Sequence, residues 1–313
     1  MRYARWTLGL ALVAAVAAAG TVQAQGDAVG LLKYVPREAE VVVGINVRQV
    51  AGSPAFAELR ARLDETKRID AAVNIIGRLT GVNVLEDLEA VVFASTLGDQ
   101  APGVAIFKGT WDTQNLVELA ALNPTYAKST VHDRDVHYWK DERSGKPNHA
   151  VFLADDVLAI SEQGPVIGLV IQTAADPSRA LSNSDKLEGI PGLALPTSAF
   201  VAAFRPANNP KVTNHPALGR LESVVMRAQV EAEHFKMSAV IESQDADSAV
   251  LFRDVMNGLI AMGRLHDNML VPWETDVSSE ASRVQVSLTA PTASIINAIE
   301  NKHRLAQAAQ MTP

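Results

Sequence analysis

Apolar positions along this chain recur in two periods, and each change of period marks a new element. Glu40 to Val47 (EVVVGINV) is β-branched and bounded by Pro36 and Gly52, which predicts a buried strand. Ser53-Pro54 then opens a helix, a capping hydroxyl followed by Pro at the first helical position. Phe56, Leu59, Leu63, Ile69, Val73, Ile76 and Leu79 fall at three- and four-residue steps and extend that helix, with a break near Thr66–Asp70 and Gly81 as a left-handed cap. Ala90–Ser95 and Val104–Lys108 read as strands, Asp112 as the cap of a helix with Leu116, Leu119, Ala120 and Leu122 inward, and Ser129 to Lys140 as a hairpin turning near Asp133-Arg134. Ala150–Leu153 and Val157–Ser161 pair around Asp155-Asp156, and Gly164-Pro165 starts a helix through Gln172.

The Gly- and Pro-rich stretch Leu187–Pro196 reads as a linker. Beyond it, Phe200–Phe204 is a strand, His215-Pro216 opens a helix, and Met226–Phe235 and Lys236–Ser243 form a strand pair. Asp245 or Asp247 caps a helix whose inward residues are Val250 or Leu251, Val255, Leu259 and Met262. Val284–Thr289 is a strand, and Pro291-Thr292 opens the last helix, with Ile295, Ile296, Ile299 and Leu305 inward. The fold class this predicts is α+β: two related domains, each a mainly antiparallel sheet with helices packed on one face.

The halves read as diverged copies. Pro36 aligns with Pro196, Pro54–Leu59 with Pro216–Leu221, Asp112 with Asp245, and Leu158–Ser161 before Pro165 with Val286–Thr289 before Pro291. That organisation is a signal peptide over 1–24, an N-terminal domain over 25–190 and a C-terminal domain over 191–313.

The signal peptide rests on Arg2 and Arg5, the twelve uncharged residues Leu8 to Ala19, and the small residues of Val22-Gln23-Ala24, which place cleavage after Ala24. The apolar run is shorter than the roughly 20 residues a membrane span needs. The expected location is therefore periplasmic or secreted, with no transmembrane span. Of 28 basic and 35 acidic residues, the leader holds two Arg and no acid, so the mature chain carries 26 against 35, a net −9. That balance argues against nucleic acid as a partner. The chain has no cysteine, which excludes thiol catalysis, iron–sulfur clusters, Cys-bound zinc and disulfide staples.

Taken together, Pro36 to Val43 with its Pro-x-x-Ala-x-Val-Val-Val strand, the Ser53-Pro54-x-Phe56 helix start, Leu79-Thr80-Gly81-Val82 and Glu86-Asp87-Leu88 resemble uncharacterised exported bacterial proteins of domain-of-unknown-function families. The resemblance spans most of the mature chain and implies no activity.

Sequence signatures of catalysis are absent: no Gly-x-Ser-x-Gly, Ser-x-x-Lys, His-Glu-x-x-His, Gly-x-Gly-x-x-Gly or phosphate loop occurs. The best cluster is His132, Asp133, Asp135 and His137. In a straight strand Asp133, Asp135 and His137 share a face, where two carboxylates and an imidazole are competent metal ligands; a turn at Asp133-Arg134 would separate them. Trp111, Trp139 and Trp273 are candidates to line a cleft. The function expected is non-catalytic binding of an envelope protein or small ligand, without a cofactor. The alternatives are a metal-assisted hydrolase built on the His132–His137 cluster, and a scaffold without a small ligand.

Overall fold

The structure, a computed structural model, describes residues 28, 30–64, 81–96, 103–142, 144–183, 199–205, 214, 218–231, 233–265 and 272–311. The leader, residues 65–80 and the linker at 187–196 lie outside that set, as do His215 and Pro216.

Among the described residues twelve antiparallel strands form one sheet. In chain order they are β1 (Val41–Ile45), β2 (Leu88–Ser95), β3 (Gly103–Gly109), β4 (Ala127–Val131), β5 (Arg134–Lys140), β6 (Pro147–Ala154), β7 (Val157–Ser161), β8 (Phe200–Phe204), β9 (Leu221–Val230), β10 (His234–Ser243), β11 (Glu274–Glu280) and β12 (Arg283–Pro291). Among the described residues six helices accompany them: α1 (Val47–Ala51), α2 (Pro54–Asp64), α3 (Thr113–Ala121), α4 (Gly164–Ala175), α5 (Ala246–Leu265) and α6 (Thr292–Met311). The spatial order is β11-β12-β10-β9-β8-β1-β2-β3-β7-β6-β5-β4. The α+β class that the element order implied is the one observed.

β1 is the hinge of this layout, pairing β2 on one side and β8 on the other, so the sheet is continuous between the two halves of the chain. Its run of Val and Ile suits a central strand buried on both faces. Val42 joins Val92, Ile106, Val151 and Ala159 on one face, against Val166, Ile167, Val170 and Ile171 of α4 and Leu31 and Leu32 of the short 3-10 turn Gly30–Tyr34. Val43 points the other way, joining Phe200, Ala228 and Phe235 against Ala55, Phe56 and Leu59 of α2 and Ile295 and Ile296 of α6. Further along that second face, Ile241, Val284 and Val286 pack on Ala249 and Phe252 of α5.

Local chemistry explains most of the boundaries. Ser53 Oγ accepts from Phe56 N–H at 3.1 Å and so caps α2. Asp112 caps α3 through Asn115 N–H, and Asp245 caps α5 through Ser248 N–H at 2.7 Å. Gly81 has φ +72, the left-handed conformation expected of it, although the segment it was expected to cap lies outside the described residues.

The structure corrects four expectations. Leu221 starts β9, preceded by the 3-10 turn Leu218–Arg220, so it is not the helical counterpart of Leu59. Its successors Ser223, Val225 and Ala228 are buried between more exposed neighbours, the signature of a strand edge packed on a core. In α3 no residue is buried, and Leu122 just beyond it is 78% exposed. The phase of α5 is rotated, with Ala249 and Phe252 buried while Val250, Leu251, Val255, Leu259 and Met262 face outward. Finally β11, whose sequence ETDVSSE is too polar to register as a strand, forms an edge of the sheet by pairing with β12.

Candidate functional site

The four cluster residues sit on the β4–β5 hairpin at one edge of the sheet. Its two-residue turn is His132-Asp133, with φ +49 and +60, and Val131 pairs Arg134 to close it. Consecutive positive φ values match the right-handed twist of a hairpin, and His and Asp tolerate them better than most residues. The turn thus falls one residue earlier than Asp133-Arg134. Asp133 is in the turn, while Asp135 and His137 lie two apart on β5 and share a face.

Three of the four side chains have partners of their own. His132 Nε2 lies 2.9 Å from Gln172 Nε2 on α4, and Gln172 Oε1 accepts from Arg179 at 2.9 Å. Asp135 pairs with Lys128 of β4 at 2.6 Å, both side chains about half exposed. His137 is buried, with Nδ1 2.8 Å from the Tyr126 hydroxyl, its ring roughly parallel to Tyr126 and edge-on to Phe152. Burial holds His137 below the usual imidazole range, the Lys128 ammonium pushes it further down, and the Asp135 carboxylate pulls against both. The geometry makes a clasp of β4 on β5, with an exposed ion pair beside a neutral buried imidazole. Among the described residues no three His, Cys, Asp or Glu side chains converge to hold a metal ion.

The tryptophans do not share one wall. Trp273 packs edge-on against Phe235 within the second core, and Trp111 lies against Gly109, whose added Cβ would meet its ring at 2.7 Å.

A different surface stands out. At about 100° per residue, the inward face of α5 carries Ala249, Phe252 and Met256. The adjoining flank carries Leu251, Val255, Leu259 and Met262, which are 40, 45, 51 and 56% exposed. Asp247, Asp254 and Asn257 are exposed too and fall around the remaining arc. Ordinary monomer surfaces scatter their exposed aliphatics; four in register on one helix form a contiguous patch of the kind that marks interaction sites. The signal was present in the sequence, because apolar residues of α5 occupy more than one face, and a helix apolar on both sides calls for a second covering layer. Among the described residues no helix is long and apolar enough to cross a membrane.

The fold therefore defines an antiparallel α+β protein with a structural clasp at one edge and, toward the other, an apolar helix flank that is exposed among the described residues. No family model matches the chain, and no curated protein matches it. Solved structures do resemble it. Crystal form III of TP0453 aligns over 86% of this chain and 97% of its own length, with a TM-score of 0.50 and 12% sequence identity. Crystal form IV of the same protein aligns over 86% and 96%, at 0.49 and 10%. At that identity the likeness is one of fold.

Proposed function

We propose that this is an exported, non-catalytic protein that works in the cell envelope by binding a partner through the outer flank of α5. The observation that carries the reading is the exposed register of Leu251, Val255, Leu259 and Met262 on a helix whose other side is anchored in the core. Burying apolar surface is worth roughly 25 cal/mol per Å², so such a flank favours association wherever a complementary surface is offered. Export rests on the leader, with cleavage after Ala24 and a periplasmic or released product beginning at Gln25.

The division into an N-terminal part to residue 190 and a related C-terminal part from 191 belongs to the same proposal. The strand orders running outward from the centre support it: β1-β2-β3-β7-β6 in one direction and β8-β9-β10-β12-β11 in the other. α3 and α5 follow the third strand of each series, and α4 and α6 follow the last in chain order. On this reading the β4–β5 hairpin is an addition to the first copy, and the stretch of the second copy that would answer to α1–α2 lies outside the described residues. α4 and α6 lie on opposite faces, so the copies share strand order and not helix placement.

The test is photo-crosslinking in the native host, with the reactive group at position 259 and, as control, at exposed Lys236. Discrete adducts from position 259 alone, on a chain whose N-terminus is Gln25, are the expected result. Retention of residues 1–24, or equal labelling from both positions, overturns the reading.

A further inference from the structure

We propose that β4 is an acid-released edge strand: protonation of His137 detaches it from β5 and bares the β5 edge. The proposal is independent of α5 and its partner. β4 is the last strand of the sheet, and among the described residues no strand pairs with its outer side. Ala127, Lys128, Ser129 and Thr130 are exposed, and only Val131 packs, half-buried, against the core. At the opposite edge, β11 is pinned through Val277 to the core beneath α5. A strand that buries so little apolar surface can open locally while the rest of the fold stays closed. What holds β4 is its ladder with β5, the exposed Lys128–Asp135 pair, and the contacts of its hairpin's two histidines. Once released, it leaves unpaired backbone groups on β5, which is the state that accepts an added strand.

The closed arrangement suits a neutral ring at His137. Lys128 stands directly opposite it across the strand pair, the Tyr126 hydroxyl lies 2.8 Å from Nδ1, and Phe152 of β6 meets the ring edge-on. Few charged or titratable groups face it. They are the Lys128 ammonium and Tyr126 phenol from the β4 side and the Asp135 carboxylate from β5 itself. β6 presents only Ala150 and Phe152, and the one charged side chain of α3, Glu118, is exposed and accepts from Gln114. Asp135 favours an imidazolium, yet it is already paired with Lys128 at 2.6 Å. A buried cation beside an ammonium is costly, so acid favours the open form, in which Lys128 and Tyr126 move off and water reaches the ring. The turn carries a second contact of the same sense. Gln172 Oε1 accepts from Arg179, which itself pairs with Asp176, and this orients Gln172 Nε2 as a donor toward His132. His132 Nε2 is therefore an unprotonated acceptor, and a proton there would set N–H against N–H.

Hydrogen exchange read by mass spectrometry, corrected for the intrinsic pH dependence of exchange, tests this on the chain from residue 25 to 313. In the open form the ring titrates near its ordinary value of about 6.5, and in the closed form below it, so opening is favoured only as pH falls below about 6.5. Between pH 7.5 and pH 5.0 the stretch 127–131 should lose protection about tenfold or more, the factor that each unit of pKa difference supplies, while β6 and β7 keep theirs. His137→Gln still offers Tyr126 a hydrogen-bonding partner and takes up no proton, so β4 should stay protected at both pH values. No loss in the wild type, or a loss that persists in His137→Gln, overturns the proposal. Equal loss across β4, β6 and β7 overturns it too, because the whole fold would then be opening. A second measurement needs no variant: the His137 ring, followed by proton NMR in the folded chain, should titrate below about 6.5. A midpoint at or above that value means that the closed form does not oppose its protonation, and the release mechanism falls.

Discussion

Helices α4 and α5 are both rich in aliphatic residues, both follow an antiparallel strand pair, and both lay one side on the sheet. They differ in what lies above them. α4 is roofed by its own chain, with Leu31 and Leu32 of the N-terminal 3-10 turn and Leu181 joining Val166, Ile167, Val170 and Ile171 in one core. Only Leu169 of its large side chains is markedly exposed, at 45%. α5 has the sheet beneath it, through Ala249, Phe252 and Met256, and no comparable roof among the described residues. The same excess of apolar surface is thus buried over α4 and left exposed on α5. An apolar helix becomes core or interface according to whether a second layer exists, which its own sequence does not specify.

The comparison can be broken most severely at the inward residues. Phe252→Ala should destabilise the protein by about 3–5 kcal/mol and Ile167→Ala by about 2–5 kcal/mol, measured by urea unfolding, since each leaves a cavity in a packed core. A loss under about 1 kcal/mol at either site would show that the helix is not anchored as described.

Leu221→Ala, at about 2–5 kcal/mol, asks whether the halves unfold separately. Hydrogen exchange should rise across β9, β10, β11 and β12 while β2, β3, β6 and β7 stay protected. Uniform loss of protection would mean that the continuous sheet melts as one unit and would end the two-domain reading.

A smaller effect belongs to the polar edge of the sheet. His137 has a folded pKa below its unfolded value of about 6.5, so between those two values the unfolded chain binds more protons. Stability should therefore rise with pH through that window and be lost as pH falls below about 6.5. The Lys128–Asp135 pair faces the same hairpin, and Asp135 moderates the slope. His137→Gln should flatten the dependence in chemical denaturation at pH 5 to 7; an unchanged slope would remove His137 as its source.

The smallest effect is expected at Leu259→Ala. Truncating a side chain that is half exposed should alter monomer stability by no more than about 0.5 kcal/mol. A core-sized loss there would mean that Leu259 is covered, and the contrast with α4 would disappear.

Punctuation was legible in the chain. Ser53-Pro54, Asp112, Gly164-Pro165 and Asp245 mark helix starts because capping and proline geometry depend on a few neighbouring residues. Strand β8 runs over Phe200–Phe204 as its composition predicted. The cluster on β4–β5 was half legible: the hairpin was evident, and either turn position takes Asp133 off the face of Asp135 and His137, but only pairing across the sheet sets the turn at His132-Asp133. β11 escaped because ETDVSSE gains its strand character from pairing with β12 and cover by α5, not from its own propensity.

The sequence by itself determined the α+β class, the start of most helices, the freedom from cysteine chemistry and the acidic balance, because these follow from composition and from contacts within a few residues. Tertiary structure alone decided that Leu221 is a strand residue, that α5 turns Phe252 inward and Leu259 outward, and that β1 and β8 join the halves in one sheet. A helix with apolar residues on two sides can dock equally well in either phase by periodicity. Which side is buried depends on the shape and volume of the partner surface, and that surface is assembled from residues distant in the chain.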